Sequence, residues 1–233
     1  MPPIISASLC LMLFASYGCQ AGVLTKDQID AMGTASITLL HQTEPQFLIM
    51  TERNMIPMQA GLIPELFASA VRGTTTPEGL GTAAQAEERL LDPTVRIQQI
   101  IAQGMGERLP LAKIHEIIDA QARTDPAQIR KITNSDLAIS IRTTEWGLQP
   151  YGFDTSFHKF AYRGEARLID LRKIEIVWGT TCRYLGDAPK NNRPSLEDFL
   201  QERASLLKAE LNRASEVCAQ QVLEQLFDVD AMD

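Results

Sequence analysis

The sequence predicts an α+β fold: an antiparallel meander sheet packed by helices, with a long C-terminal helix tied to the sheet by a disulfide. Three observations predict it. Strand-like stretches follow one another at short intervals over residues 137–145, 157–171 and 173–182, and connections that short demand antiparallel neighbours. A helical pattern then runs from Ser195 to Phe227 with no Gly or Pro to interrupt it. Cys182 on the last strand and Cys218 on that helix both fall among apolar neighbours, so each aims inward.

The elements can be justified in chain order. No charged residue occurs before Lys26, and residues 4–18 are apolar or small. That run is shorter than the roughly 20 residues a membrane-crossing helix needs, and it suits the core of an export signal, although Met1-Pro2-Pro3 lacks the usual positive start. Residues 1–18 are therefore expected to be a signal peptide, 19–35 a tether with a short helix at its end, and 36–233 a single domain. Residues 36–42 and 46–51 are short apolar runs with β-branched residues and read as strands. Pro57 and Pro64 break any long element between 54 and 73, and the Gly- and Thr-rich stretch 73–81 reads as a mobile loop.

Asp92-Pro93 opens a helix, Asp as cap and Pro in the first turn, and Ile97, Ile100, Ile101, Met105 and Leu109 share its apolar face. Residues 111–119 alternate imperfectly, and strand is preferred over helix. Asp125-Pro126 repeats the same opening for a short helix over 126–132. In the meander, Leu137, Ile139 and Ile141 share one face; His158, Phe160, Tyr162, Ala166 and Leu168 share another; Ile174, Ile176, Trp178 and Cys182 share a third. Residues 147–156, holding Gly147, Pro150 and Gly152, read as a loop, and 171–173 as a tight reversal. Ser195 with Asp198 spells a capping box for the final helix, whose stripe includes Phe199, Leu207, Leu211, Ala214, Cys218 and Leu226.

At 233 residues, 45% hydrophobic and 22% charged, the chain can bury a substantial core. Its net charge of −7 argues against a dedicated nucleic-acid binder. Arg167, Arg172 and Lys173 do gather, and a solvated strand end and turn accounts for them. Two cysteines in the body of an exported chain read as a disulfide, against the alternative of two buried free thiols.

The residues offer no reaction. His41, His115 and His158 are scattered, no H-E-x-x-H occurs, and the cysteines lack metal-ligand spacing, so no metal, cofactor or catalytic residue is assigned. Ser156-Phe157-His158-Lys159 spells S-x-x-K, but at a strand start positions three apart point to opposite faces. Asp154, Asp170 and Asp187 read as turn acids. Trp146, Tyr151 and Phe153 border or occupy the 147–156 loop. They are the candidate partner contact if exposed, the alternative being that Trp146 closes the core.

Ser16-Tyr17-Gly18-Cys19 resembles the lipobox of bacterial lipoproteins. Gly18 and Cys19 match, while Ser16 departs from the usual aliphatic residue and Tyr17 from the usual small one. The resemblance implies a lipid on Cys19, with ordinary signal cleavage as the alternative, and Gln20 resembles the residue of lipoproteins sent to the outer membrane. The body, through Asp92-Pro93, the run from Ile141 to Gly147, Arg167-Leu168-Ile169-Asp170, Cys182 and the helix through Cys218, is similar to uncharacterised exported proteins of Gram-negative bacteria. More distantly, the order of elements resembles a small α/β domain of envelope lipoproteins: the curli secretion lipoprotein, activators of penicillin-binding proteins, and auxiliary lipoproteins of lipid-transporting ABC systems. These resemblances imply a non-enzymatic accessory or assembly role at the periplasmic side of the outer membrane, through a protein partner or self-association. A periplasmic hydrolase with a hidden site and a carrier of an apolar ligand remain as rivals.

Overall fold

A short strand close behind the first described helix lies between two parallel neighbours of the sheet. In the computed structural model, which describes residues 24–41, 47–49, 93–119, 125–152 and 154–227, helix α1 (Lys26–Met32) leads into strand β1 (Ser36–His41). The order then runs β2 (Leu48–Ile49), α2 (Pro93–Arg108), β3 (Lys113–Asp119), α3 (Pro126–Ile129), β4 (Leu137–Tyr151), β5 (Asp154–Asp170), β6 (Glu175–Leu185), a 3-10 turn (Lys190–Asn192) and α4 (Leu196–Phe227). The sheet order is β3-β1-β4-β5-β6, with β2 paired to β4. The expected loop 73–81, Asp92 and the C-terminal tail lie outside the described residues.

The fold is α+β, as the sequence predicts, but the sheet is mixed rather than an antiparallel meander alone. β4, β5 and β6 pair antiparallel, whereas β1 lies parallel to both β3 and β4. Parallel neighbours need a long crossover, and α2 and α3 are placed to supply the returns. Asp136 fixes the start of the β1–β4 pairing across 100 residues: its carboxylate accepts from the Ser36 N–H at 3.0 Å and from the Ser36 hydroxyl at 2.7 Å.

One face of the sheet packs on α1, α2 and α4. Ile37, Leu39, Ile139, Ile141, Phe160, Tyr162 and Leu168 meet Ile97, Ile101, Met105, Leu207, Ala214 and Val222 there. Helices α2 and α4 approach closely because Gly104 has no side chain; a Cβ there would meet Leu223 Cδ1 at 2.5 Å. Leu24 and Met32, inside the stretch expected to be tether, are buried in the same core. A capping box of Thr25 and Gln28 sets α1.

Three local departures matter. Between Thr143 and Glu145 a bulge inserts one residue, so alternation that puts odd-numbered Leu137, Ile139 and Ile141 on the core puts even-numbered Trp146 and Leu148 there afterwards. A second bulge between Leu168 and Ile169 sets Trp178 opposite Leu168 but Ile176 opposite Ile169. Ile176 therefore joins a small cluster on the other face, with Leu40, Ala138, Ile169 and Ile129 of α3, and not the face of Trp178 and Cys182. Ile174 stands in the turn, 49% exposed.

The third departure is in α4, which is not one uninterrupted helix. Glu202, Arg203 and Ala204 are left-handed, with φ of 49°, 57° and 56°. A straight helix would place Arg203 one turn beyond buried Phe199, facing the core. The break exposes Arg203, buries Ala204, and leaves the Arg203 carbonyl to accept from Lys208 Nζ at 2.7 Å.

Candidate functional site

The expected disulfide is present. Cys182 and Cys218 are bonded, with Cα atoms 5.2 Å apart and a sequence separation of 36, joining β6 to α4. Beside it, α4 also covers the outer edge of the sheet. The Gln221 side chain accepts from the Arg183 N–H at 3.1 Å and donates to the Arg183 carbonyl at 3.2 Å, taking the place of a neighbouring strand.

Two of the aromatic residues expected around the 147–156 loop, Trp146 and Tyr151, are buried. β4 runs on to Tyr151 and β5 starts at Asp154, so little loop is left. Pro150 is tolerated inside β4 because its partner His158 turns its N–H away, donating to the Pro194 carbonyl at 2.8 Å; this is a non-hydrogen-bonded pair. Trp146 is 1% exposed and meets Phe47 edge-on, ring centroids 5.0 Å apart. Tyr151 is 9% exposed, covered by the Arg193 guanidinium at 4.1 Å and the Lys159 ammonium at 5.1 Å, and its hydroxyl accepts from the Ala188 N–H at 2.9 Å. Phe153 and Cys19 lie outside the described residues.

The S-x-x-K residues part as strand geometry requires. Ser156 is exposed, its N–H bonded to Asp154, while Lys159 lies over Tyr151. His158 is buried on the core face and His115 is exposed on β3. Asp170 is held by Arg172 and by the N–H groups of Arg172 and Lys173. Burial pushes its carboxyl up, but those hydrogen bonds prevail and hold it below the usual value. Glu210 accepts from the Tyr184 hydroxyl at 2.6 Å and pairs with Arg213 at 3.1 Å; burial, then this carboxylate, pushes the Tyr184 phenol up to about 12. Among the described residues no group of three His, Cys, Asp or Glu is placed to hold a metal, and no helix is long and apolar enough to cross a membrane.

What the register does assemble is an open sheet face. On the side away from the core, beyond α3, β4 presents Arg142 and Glu145, β5 presents Lys159, Arg163, Glu165 and Arg167, and β6 presents Thr181 and Arg183. Five cations meet two carboxylates there, on a chain whose net charge is −7. Glu165 takes two of the cations, Arg142 at 2.9 Å and Arg167 at 3.0 Å. Arg163 stands directly opposite Arg183, both exposed. Like charges opposed on one face cost local stability, and the sheet keeps them. Taken one at a time in the sequence, these arginines read as solvated strand ends. The signal that could have found the surface is their common parity across three strands.

No protein-family model matches the chain, and no curated protein matches it. Among solved structures it is similar to the PelC dodecamer of Paraburkholderia phytofirmans, at 11% identity over 89% of this chain and 93% of that one, TM-score 0.39. It is similar to the hypothetical protein CT253 of Chlamydia trachomatis, at 7% identity over 83% and 98% of the two chains, TM-score 0.39. A third is the lipoprotein GNA1162 of Neisseria meningitidis, at 15% identity over 78% and 99%, TM-score 0.27. At these scores no activity or partner passes from them to this chain.

Proposed function

We propose that this protein is a non-enzymatic envelope lipoprotein, anchored by lipid at Cys19 on the periplasmic side of the outer membrane. Its role is accessory or assembly, and it binds another protein or another copy of itself through the open β4–β5–β6 face. The observation that carries the reading is that face: basic on an acidic chain, lying between α3 at one end and the Arg193 segment over Tyr151 at the other, with Arg163 and Arg183 exposed and opposed at a local cost. The apolar leader with its lipobox-like end supports the anchor, and the disulfide suits an oxidising compartment.

The carrier reading finds less support. Among the described residues, the apolar-floored cleft between α1 and the strand ends has a volume of about 200 Å³, below the roughly 300 Å³ at which ligand pockets begin, and the larger space of about 470 Å³ beside Leu196 and Leu200 lies open to solvent. A photo-crosslinking residue placed at Thr181, on the open face, is expected to capture a protein partner or a second copy in intact cells, while one placed at Glu216, on the outer side of α4, captures neither. Equal capture at both, or a strict monomer with no crosslink from Thr181, overturns the contact. The mass of the N-terminal peptide reads the anchor independently.

A further inference from the structure

We propose that the tip of the β5–β6 hairpin, Arg172-Lys173-Ile174, docks on the anionic phospholipid headgroups of the bilayer beside the lipid anchor. This rests on the reading of Cys19 as lipidated. Ile174 is 49% exposed at φ 60° and belongs to neither core cluster. A β-branched residue is rarely found in the left-handed region, where glycine would sit without strain. About half of this side chain stands in solvent at a strained position, so a partner outside the chain can cover it.

The flanking side chains fit a phosphate-rich surface. Arg172 is 58% exposed and Lys173 66%, and their own partners, Asp170 at 3.4 Å and Glu175 at 3.6 Å, are long pairs. Arg172 stays with the buried Asp170, whereas the Lys173–Glu175 pair is exposed on both sides and contributes little, so Lys173 can turn to a phosphate. Location supplies the occupant. Leu24 lines the same cleft as Arg172 and Lys173, so the chain leaves the body toward its N-terminus beside the tip. From Leu24 back to Cys19 is five residue steps, a reach of about 17 Å at full extension. Acyl chains buried from Cys19 therefore keep this end of the sheet within that reach of the headgroups. Leu111, 75% exposed, stands at the same end, just before Lys113 pairs with Ser36.

The full mature lipoprotein, reconstituted in vesicles of phosphatidylethanolamine and phosphatidylglycerol, tests this. A fluorescent label on Ile174→Cys is compared with one on Phe157→Cys, another exposed apolar residue, about 44 Å back along β5 from the hairpin by residue rise. Nitroxide lipids at headgroup depth are expected to quench the Ile174→Cys label at least threefold more strongly. Adding Lys173→Glu should cut that quenching about twofold. Ile174→Gly separates docking from folding: it raises Tm by relieving the left-handed strain, and it weakens quenching of a label on Arg172→Cys. Equal quenching at positions 174 and 157 with acyl mass found on Cys19 overturns the docking alone. Absence of that acyl mass overturns the anchor and the docking together.

Discussion

At position 136 one carboxylate joins two strands that are a hundred residues apart. The hydrogen bonds from the Ser36 N–H and hydroxyl hold the Asp136 carboxyl below its usual value. The sign of the linkage follows. A carboxyl whose folded pKa lies below its unfolded one contributes stability that is present above the unfolded value and is lost as pH falls through the folded one. Asp170, also held low, adds to the same acid limb. Asp136→Asn is therefore expected to cost about 1–2 kcal/mol at neutral pH, the usual scale for a charge-assisted hydrogen bond with partial exposure. The gap between wild type and variant should narrow as pH falls below about 4, the ordinary carboxylate range, and on through the lowered folded value. Urea melts at neutral pH and at the acid end of that window check this; a gap of the same size at both would mean that the carboxylate charge contributes nothing.

At the scale of elements, the disulfide joins β6 to α4 where Gln221 also engages the strand edge. Closing a loop of this length contributes about 3–4 kcal/mol in the chain-entropy model. The double variant Cys182→Ala/Cys218→Ala should lose about that much in a denaturant melt, and an unchanged midpoint would refute the constraint. This bridge was legible in the sequence because both cysteines follow a simple period, alternation on the strand and helical spacing on α4. The β5 face from His158 to Leu168 and the Asp125 and Ser195 caps were legible for the same local reason. Pairing was not: β1 shows itself as a short apolar run, but nothing local says that it lies parallel between β3 and β4. The bulges at Thr143–Glu145 and Leu168–Ile169 each flip a face by one residue; the first has Gly164 only on the partner strand, opposite Thr143, and neither has a glycine in the inserted position. That flip is why Trp146, a candidate contact by its place in the sequence, closes the core. The break at Glu202–Ala204 lacks a glycine as well, although Arg203 on the apolar stripe was a readable conflict.

At the scale of the whole molecule, charge is distributed unevenly: the open face carries three positive charges in excess while the chain as a whole carries −7. A surface retained for folding and one retained for contact respond oppositely to the same substitution. Arg183→Glu replaces the like-charge cross-strand pair with a carboxylate opposite Arg163, which also faces Glu145 on its other side. The isolated chain should gain about 0.5 kcal/mol, the scale of such pairs, read as a higher denaturation midpoint. The contact should weaken, because the attraction between this face and an acidic partner depends on the cation that was removed. Added salt should weaken the wild-type contact through screening and leave the variant's residual contact nearly unchanged. Sedimentation of the purified mature protein with the partner that crosslinking identifies, at low and at high salt, measures association, and a urea melt of the isolated chain measures the fold. If Arg183→Glu stabilises the fold and leaves association intact, the arginine pair has no role in contact. If it destabilises the fold, the opposed arginines are held by a structural constraint, and the open face loses its claim to be the working surface.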